Sequence, residues 1–135
     1  MKIEQIYTGC LAQGAYYVVS EKEALIIDPL REIEPYLARL ASDGVQLKYI
    51  FETHFHADFV SGHLDLSKQT GAPIVYGPTA QPAFDALIAA DNQVFTVGNI
   101  QIKVLHTPGH TLESTTYLLI SEEGKEEAIF SGDTL

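Results

Sequence analysis

Apolar and polar residues alternate along most of this chain, and the period of the alternation predicts its elements. Period two marks a half-buried strand, and apolar residues three and four apart mark a helix. Strand-like runs fall at about 2–8, 14–20 and 24–28. Tyr16-Tyr17-Val18-Val19 and Ala24-Leu25-Ile26-Ile27 carry the β-branched and aromatic side chains that suit a pleated surface. Ser20 to Glu23 reads as a hairpin turn, and Asp28-Pro29 stops the next run. Ile33, Leu37 and Leu40, with Tyr36 beside them, predict an amphipathic helix over 32–43. Pro35 fits only in its first turn, and Gly44 is a natural stop. A strand at 47–53 and a helix around 58–70 follow, the helix with a face of Val60, Leu64 and Ser67 and an end at Gly71. Gly77-Pro78 breaks a short strand at 73–76, and 82–90 reads as a short helix. Strands near 93–97 and 100–106 are joined by Gly98-Asn99, a two-residue hairpin turn. Two more, at about 114–121 and 126–131, flank an acidic turn at Gly124 with Glu122, Glu123, Glu126 and Glu127 around it.

At 135 residues this is one domain or less, and with 46% hydrophobic residues it can bury a core. Eighteen acidic against eight basic residues give a formal charge of -10. Phosphate binding relies on Lys and Arg, so no nucleic-acid partner is expected. No apolar run approaches the roughly 20 residues that cross a bilayer, so no membrane partner is expected either. Met1-Lys2-Ile3-Glu4-Gln5 does not read as a secretory leader. Cys10 is alone and has no internal disulfide partner, which fits a reduced, cytoplasmic setting and a small buried apolar role.

The chemistry concentrates where strands are predicted to end. Thr53-His54-Phe55-His56-Ala57-Asp58 follows the run Leu47 to Glu52. On an extended stretch His54 and His56 point to the same side, so both can reach one ion or one substrate. The plain alternative is a polar loop that happens to hold two histidines. Two later motifs weigh against it: His106-Thr107-Pro108-Gly109-His110-Thr111 after the run 100–105, and Phe130-Ser131-Gly132-Asp133-Thr134 after Ala128-Ile129. Imidazole with carboxylate, and no thiolate, suits zinc, iron or manganese.

HxHxD, TPGHT and SGDTL, in this order, resemble the metallo-β-lactamase fold superfamily. The longer stretch HFHADFVSGH with TGAPIVYGP, within Thr53 to Pro78, resembles its persulfide dioxygenase branch, whose bacterial members often carry appended rhodanese domains. The resemblance covers essentially the whole chain. It implies an α+β fold: the first ββα half of an αββα sandwich, a mixed sheet with helices on one face. On this reading residues 1–135 are the N-terminal part of a longer domain and the chain is truncated. A sheet half of this kind needs a second sheet on its inner face. The expectation is therefore an exposed apolar face, lined from runs such as 16–19 and 100–105, that makes the piece self-associate.

The resemblance also implies a site. A single Fe(II) would be held by His54, His110 and Asp133, with open positions for substrate and oxygen. The implied reaction is oxidation of a low-molecular-weight persulfide, such as glutathione persulfide, by O₂ to sulfite and thiol. Dinuclear hydrolases of the superfamily continue the first motif as HxHxDH, but here Phe59 follows Asp58, and a phenyl ring ligates no metal. His56 and Asp58 are then the candidate catalytic groups, orienting His54 or bound water. His63 lies a helical turn past Phe59 and reads as a surface residue or as support behind the ligands. His106 reads as structural, Thr107-Pro108-Gly109 as shaping the turn, and Asp28 as a strand-end hydrogen-bonding residue near the site. Two alternatives stand beside this reading: a glyoxalase II-like thioester hydrolase or other metallo-hydrolase using zinc, and an inactive half-domain.

Overall fold

The computed structural model describes residues 1–7, 14–53, 63–78, 86–106 and 115–130. Ten strands and two helices are found among them: β1 (Lys2–Tyr7), β2 (Gly14–Ser20), β3 (Glu23–Ile27), α1 (Glu34–Asp43), β4 (Gln46–Phe51), α2 (His63–Thr70), β5 (Ile74–Tyr76), β6 (Leu87–Ile88), β7 (Val94–Val97), β8 (Ile100–His106), β9 (Thr115–Ile120) and β10 (Glu126–Phe130).

The strands form two sheets. One runs β1-β2-β3-β4-β5-β6 and is mixed: β1, β2 and β3 pair antiparallel, and β3 to β6 pair parallel. The other runs β10-β9-β8-β7, all antiparallel. Side chains of β2 and β3 alternate between two cores. Ala15, Tyr17, Ala24 and Ile26 face a core shared with Ile33, Tyr36 and Leu40 of the α1 region and Leu66 of α2. Val18, Leu25 and Ile27 face a core shared with Ile100, Ile102, Val104, Tyr117 and Leu119. The layers are thus helices, mixed sheet, antiparallel sheet. This is the expected α+β half-fold with helices on one face of the mixed sheet. The covering sheet, however, comes from residues 94–130 of the same chain. Val18, Ile102 and Val104, taken from the runs expected to lie bare, are 0% exposed.

A register shift between Ala24 and Leu25 puts an extra residue in β4. Leu47 therefore joins the helix-side core, while Tyr49 and Phe51 turn to the inter-sheet core. There Phe51 packs against Tyr49, Phe95 and Tyr117, with ring centroids 5.6, 5.6 and 4.9 Å away. Helix α1 begins with Pro35 in its first turn and ends on Gly44 at φ 64°, whose N–H donates to the Ala41 carbonyl. The Tyr36 hydroxyl accepts from the Leu30 N–H at 2.7 Å, and burial pushes this phenol up to about 12.

Two further expectations fail. Residues 86–90 are not helical: Leu87 and Ile88 form β6 beside β5, with the Ala89 N–H on the Tyr76 carbonyl at 2.8 Å. On α2 the buried residues are His63 and Leu66, and Leu64 is only half-buried. Val60 and Cys10 lie outside the described residues.

Candidate metal centre

The ends of several strands meet along one edge of the sandwich. Thr53 follows β4, and its carbonyl accepts the N–H of Thr115, the first residue of β9, at 2.6 Å. Thr115 pairs with His106, the last residue of β8. Tyr117 pairs with Phe130, the last residue of β10. The Tyr117 hydroxyl crosses between the sheets to the Glu52 carbonyl at 2.5 Å. Burial, with Asp28 and Glu52 nearby, pushes this phenol well above its ordinary range, so it remains a neutral donor.

Asp28 braces the same edge. Its carboxylate accepts from the Thr53 N–H at 2.8 Å and from the Thr53 hydroxyl at 2.5 Å, and its own N–H donates to the Phe51 carbonyl at 2.9 Å. It does so at φ 52°, a left-handed conformation that few non-glycine residues adopt. The expectation of a strand-end hydrogen-bonding role for Asp28 holds. Gly77 lies against Thr115, and a Cβ there would collide with the threonine side chain.

From this edge depart segments 54–62, 107–114 and 131–135. They carry His54, His56, Asp58, Phe59, Thr107-Pro108-Gly109, His110 and Asp133, all of which lie outside the described residues. The described residues fix where each segment leaves the fold, and all three leave from one place. Among the described residues no three His, Cys, Asp or Glu side chains are grouped to hold a metal. The residue types of the expected donor set, imidazole with carboxylate, suit zinc or another borderline divalent ion.

His63 is not on the surface. It is 0% exposed, and its Nδ1 lies 3.1 Å from Oε1 of Glu52, which is also 0% exposed. Sequence reasoning passed over Glu52. A carboxylate directly after the buried pair Ile50-Phe51, and directly before the first motif, was the available signal. His106 is half-exposed, and its main-chain N–H donates to the Asp91 carboxylate at 2.9 Å.

The profile of the Metallo-beta-lactamase superfamily matches residues 8–135, and the chain belongs to that superfamily. A hydroxyacylglutathione hydrolase of Pelagibacter ubique is 34% identical over 132 residues, 93% of this chain and 53% of the relative. The metallo-beta-lactamase of Staphylococcus aureus subsp. aureus COL superposes with a TM-score of 0.83 at 34% identity, over 97% of this chain and 42% of that one. ETHE1 from Myxococcus xanthus superposes at 0.78 with 29% identity, over 88% of this chain and 54% of that one. The chain spans about half the length of the curated relatives it matches.

A relative from Arabidopsis thaliana is likewise named a hydroxyacylglutathione hydrolase. These names overturn the expectation of a persulfide dioxygenase, an oxidoreductase. They agree with the alternative of a glyoxalase II-like hydrolase. No helix among the described residues is long and apolar enough to cross a membrane.

Proposed function

We propose that this chain is the metal-binding part of a zinc-dependent thioester hydrolase whose substrates are hydroxyacylglutathiones. The observation that carries the reading is the 2.6 Å bond from the Thr115 N–H to the Thr53 carbonyl. It joins the departure points of the HxHxD and TPGHT segments. The names of the relatives supply the substrate class.

His54, His110 and Asp133 would hold the zinc. A bound zinc ion supplies Lewis acidity, lowering the pKa of water and drawing charge from a carbonyl oxygen. The chain's own residues supply position. Asp28 and Thr115 hold Thr53, the residue before His54, by its N–H, hydroxyl and carbonyl. Tyr117 holds the Glu52 carbonyl one residue earlier. His56 and Asp58 are assigned to orienting His54 and water. Phe59 replaces the histidine of HxHxDH, so a second ion lacks a ligand and one zinc per chain is expected.

Zinc content and thiol release test this. Zinc-loaded protein should bind one equivalent and release thiol from a hydroxyacylglutathione. His54→Ala, His110→Ala or Asp133→Ala should each abolish both. Phe59→His alone should leave the stoichiometry at one. Two tight equivalents in the parent, or oxygen uptake with a persulfide in place of thiol release, would overturn the assignment.

A further inference from the structure

Glu52 and His63 stand on either side of the segment that carries His54, His56 and Asp58. Glu52 is held by its main chain from both sheets: its N–H donates to the Val75 carbonyl at 3.0 Å, and its carbonyl accepts the Tyr117 hydroxyl at 2.5 Å. His63 opens α2, and the Tyr76 ring stands edge-on to it, with centroids 6.4 Å apart. Between the two, the carboxylate and the imidazole meet at 3.1 Å with both side chains 0% exposed.

We propose that the Glu52–His63 pair is a positioning device for the segment that carries His54, tying the start of α2 to the end of β4 and so fixing the two points between which His54, His56 and Asp58 lie in the chain. The proposal rests on the metal reading above. Neither residue is assigned as a ligand.

Docking α2 does not require the pair. Leu66, one turn on, is 0% exposed in the helix-side core, and the Ser67 hydroxyl holds the Ala72 carbonyl at 2.6 Å. A well-packed apolar pair of the same volume stabilises a fold as well as a buried ionic one, or better. What an apolar contact lacks is direction. A hydrogen-bonded carboxylate and imidazole allow one separation and a narrow range of angles. Chain length does not set the span, since the ten residues between Glu52 and His63 can reach roughly 35 Å when extended. A site whose donors must lie within about half an ångström of their working positions needs its supports fixed.

The test pairs zinc affinity, from competition with a chromophoric chelator, with the thermal midpoint of the metal-free protein. Glu52→Leu/His63→Phe should keep the metal-free midpoint near that of the parent and weaken zinc by about tenfold or more, the range for lost supporting partners. Equal zinc affinity in parent and double variant would show the pair to be structural only. A second comparison holds if the double variant does not fold. In His63→Asn the side-chain amide reaches the position of Nδ1, and in His63→Gln it reaches that of Nε2. Asn should retain most of the affinity and Gln should lose it, and equal affinities would refute the tie. A parent that binds no zinc would sink the metal reading and this inference together. A parent that binds, with variants that bind equally, sinks this inference alone.

Discussion

At one end of the sandwich the turns at Ser20–Glu23 and Gly98-Asn99 are laced together by side chains. The Gly98 N–H donates to Glu23 at 2.8 Å, the Asn99 N–H to the Ser20 hydroxyl at 2.9 Å, and the Asn99 amide to Glu21 at 2.6 Å. At the other end the joins run through main chain and through two buried or braced groups: Thr115 N–H to Thr53 carbonyl, Tyr117 hydroxyl to Glu52 carbonyl, and Thr53 to Asp28. The turn end spends its polar side chains on holding the sheets together. The site end relies on one main-chain bond between the sheets, on the Tyr117 hydroxyl and, within the mixed sheet, on the Asp28 carboxylate.

Glycine substitutions should separate the two ends most strongly. Gly98 sits at φ 55° with the Ser20 carbonyl where a Cβ would go, and neither strain nor collision can relax without moving backbone. Gly98→Ala should cost about 2–4 kcal/mol in urea unfolding. Gly77→Ala meets a threonine side chain, which can give way in part, and should cost about 1–3 kcal/mol. It should also weaken zinc binding, which Gly98→Ala should not. Equal effects of the two on zinc affinity would dissolve the distinction between the ends.

Tyr117→Phe should come next, at about 1–2 kcal/mol, because it removes the donor to a buried carbonyl while keeping the ring against Phe51. Its cost should appear in the stability of the metal-free protein. A change within experimental error would mean that the hydroxyl contributes no net stability to the site end.

Most of the fold was legible because alternation states where a strand is and which side it buries. Pro35 and Gly44 bracket α1 as read, and Gly98-Asn99 makes its hairpin. Alternation does not state what covers a face, so the sheet built from 94–130 was not foreseen as the cover for β2 and β3. Local preference misled at Ala86 to Ala90, where pairing with β5 outweighs the helix tendency of alanine and leucine. Hydrophobic periodicity also misplaced the buried face of α2. A histidine paired with a carboxylate is buried at His63, and a scale that counts apolar letters cannot register it. The motifs made the superfamily legible, while the candidate donors within them lie outside the described residues. The branch was not legible, because imidazole and carboxylate serve zinc, iron and manganese alike and do not specify the reaction.

The smallest expected effect belongs to the turn end and concerns pH. The Gly98 N–H, aided by Lys48 at 3.2 Å, holds the Glu23 carboxyl below its ordinary value against a smaller opposing push from burial. A carboxyl whose folded pKa is depressed adds stability above its unfolded pKa and loses it as pH falls through the folded value. The contribution of Glu23 should therefore be intact at pH 7 and drain away below roughly pH 4.3, the ordinary glutamate value. Glu23→Gln keeps an oxygen for the Gly98 N–H but cannot titrate. At pH 7 it should cost less than about 1 kcal/mol, since the ion pair with Lys48 is partly exposed. As the pH drops from 5 to 3, its unfolding midpoint should fall less steeply than that of the parent. Asp43, lowered by Lys2 and the Tyr17 hydroxyl, drains in the same direction in both proteins and cancels in the comparison. Parallel acid limbs for parent and variant would mean that Glu23 titrates alike in the folded and unfolded chain, and that the lacing of the turn end owes nothing to its charge.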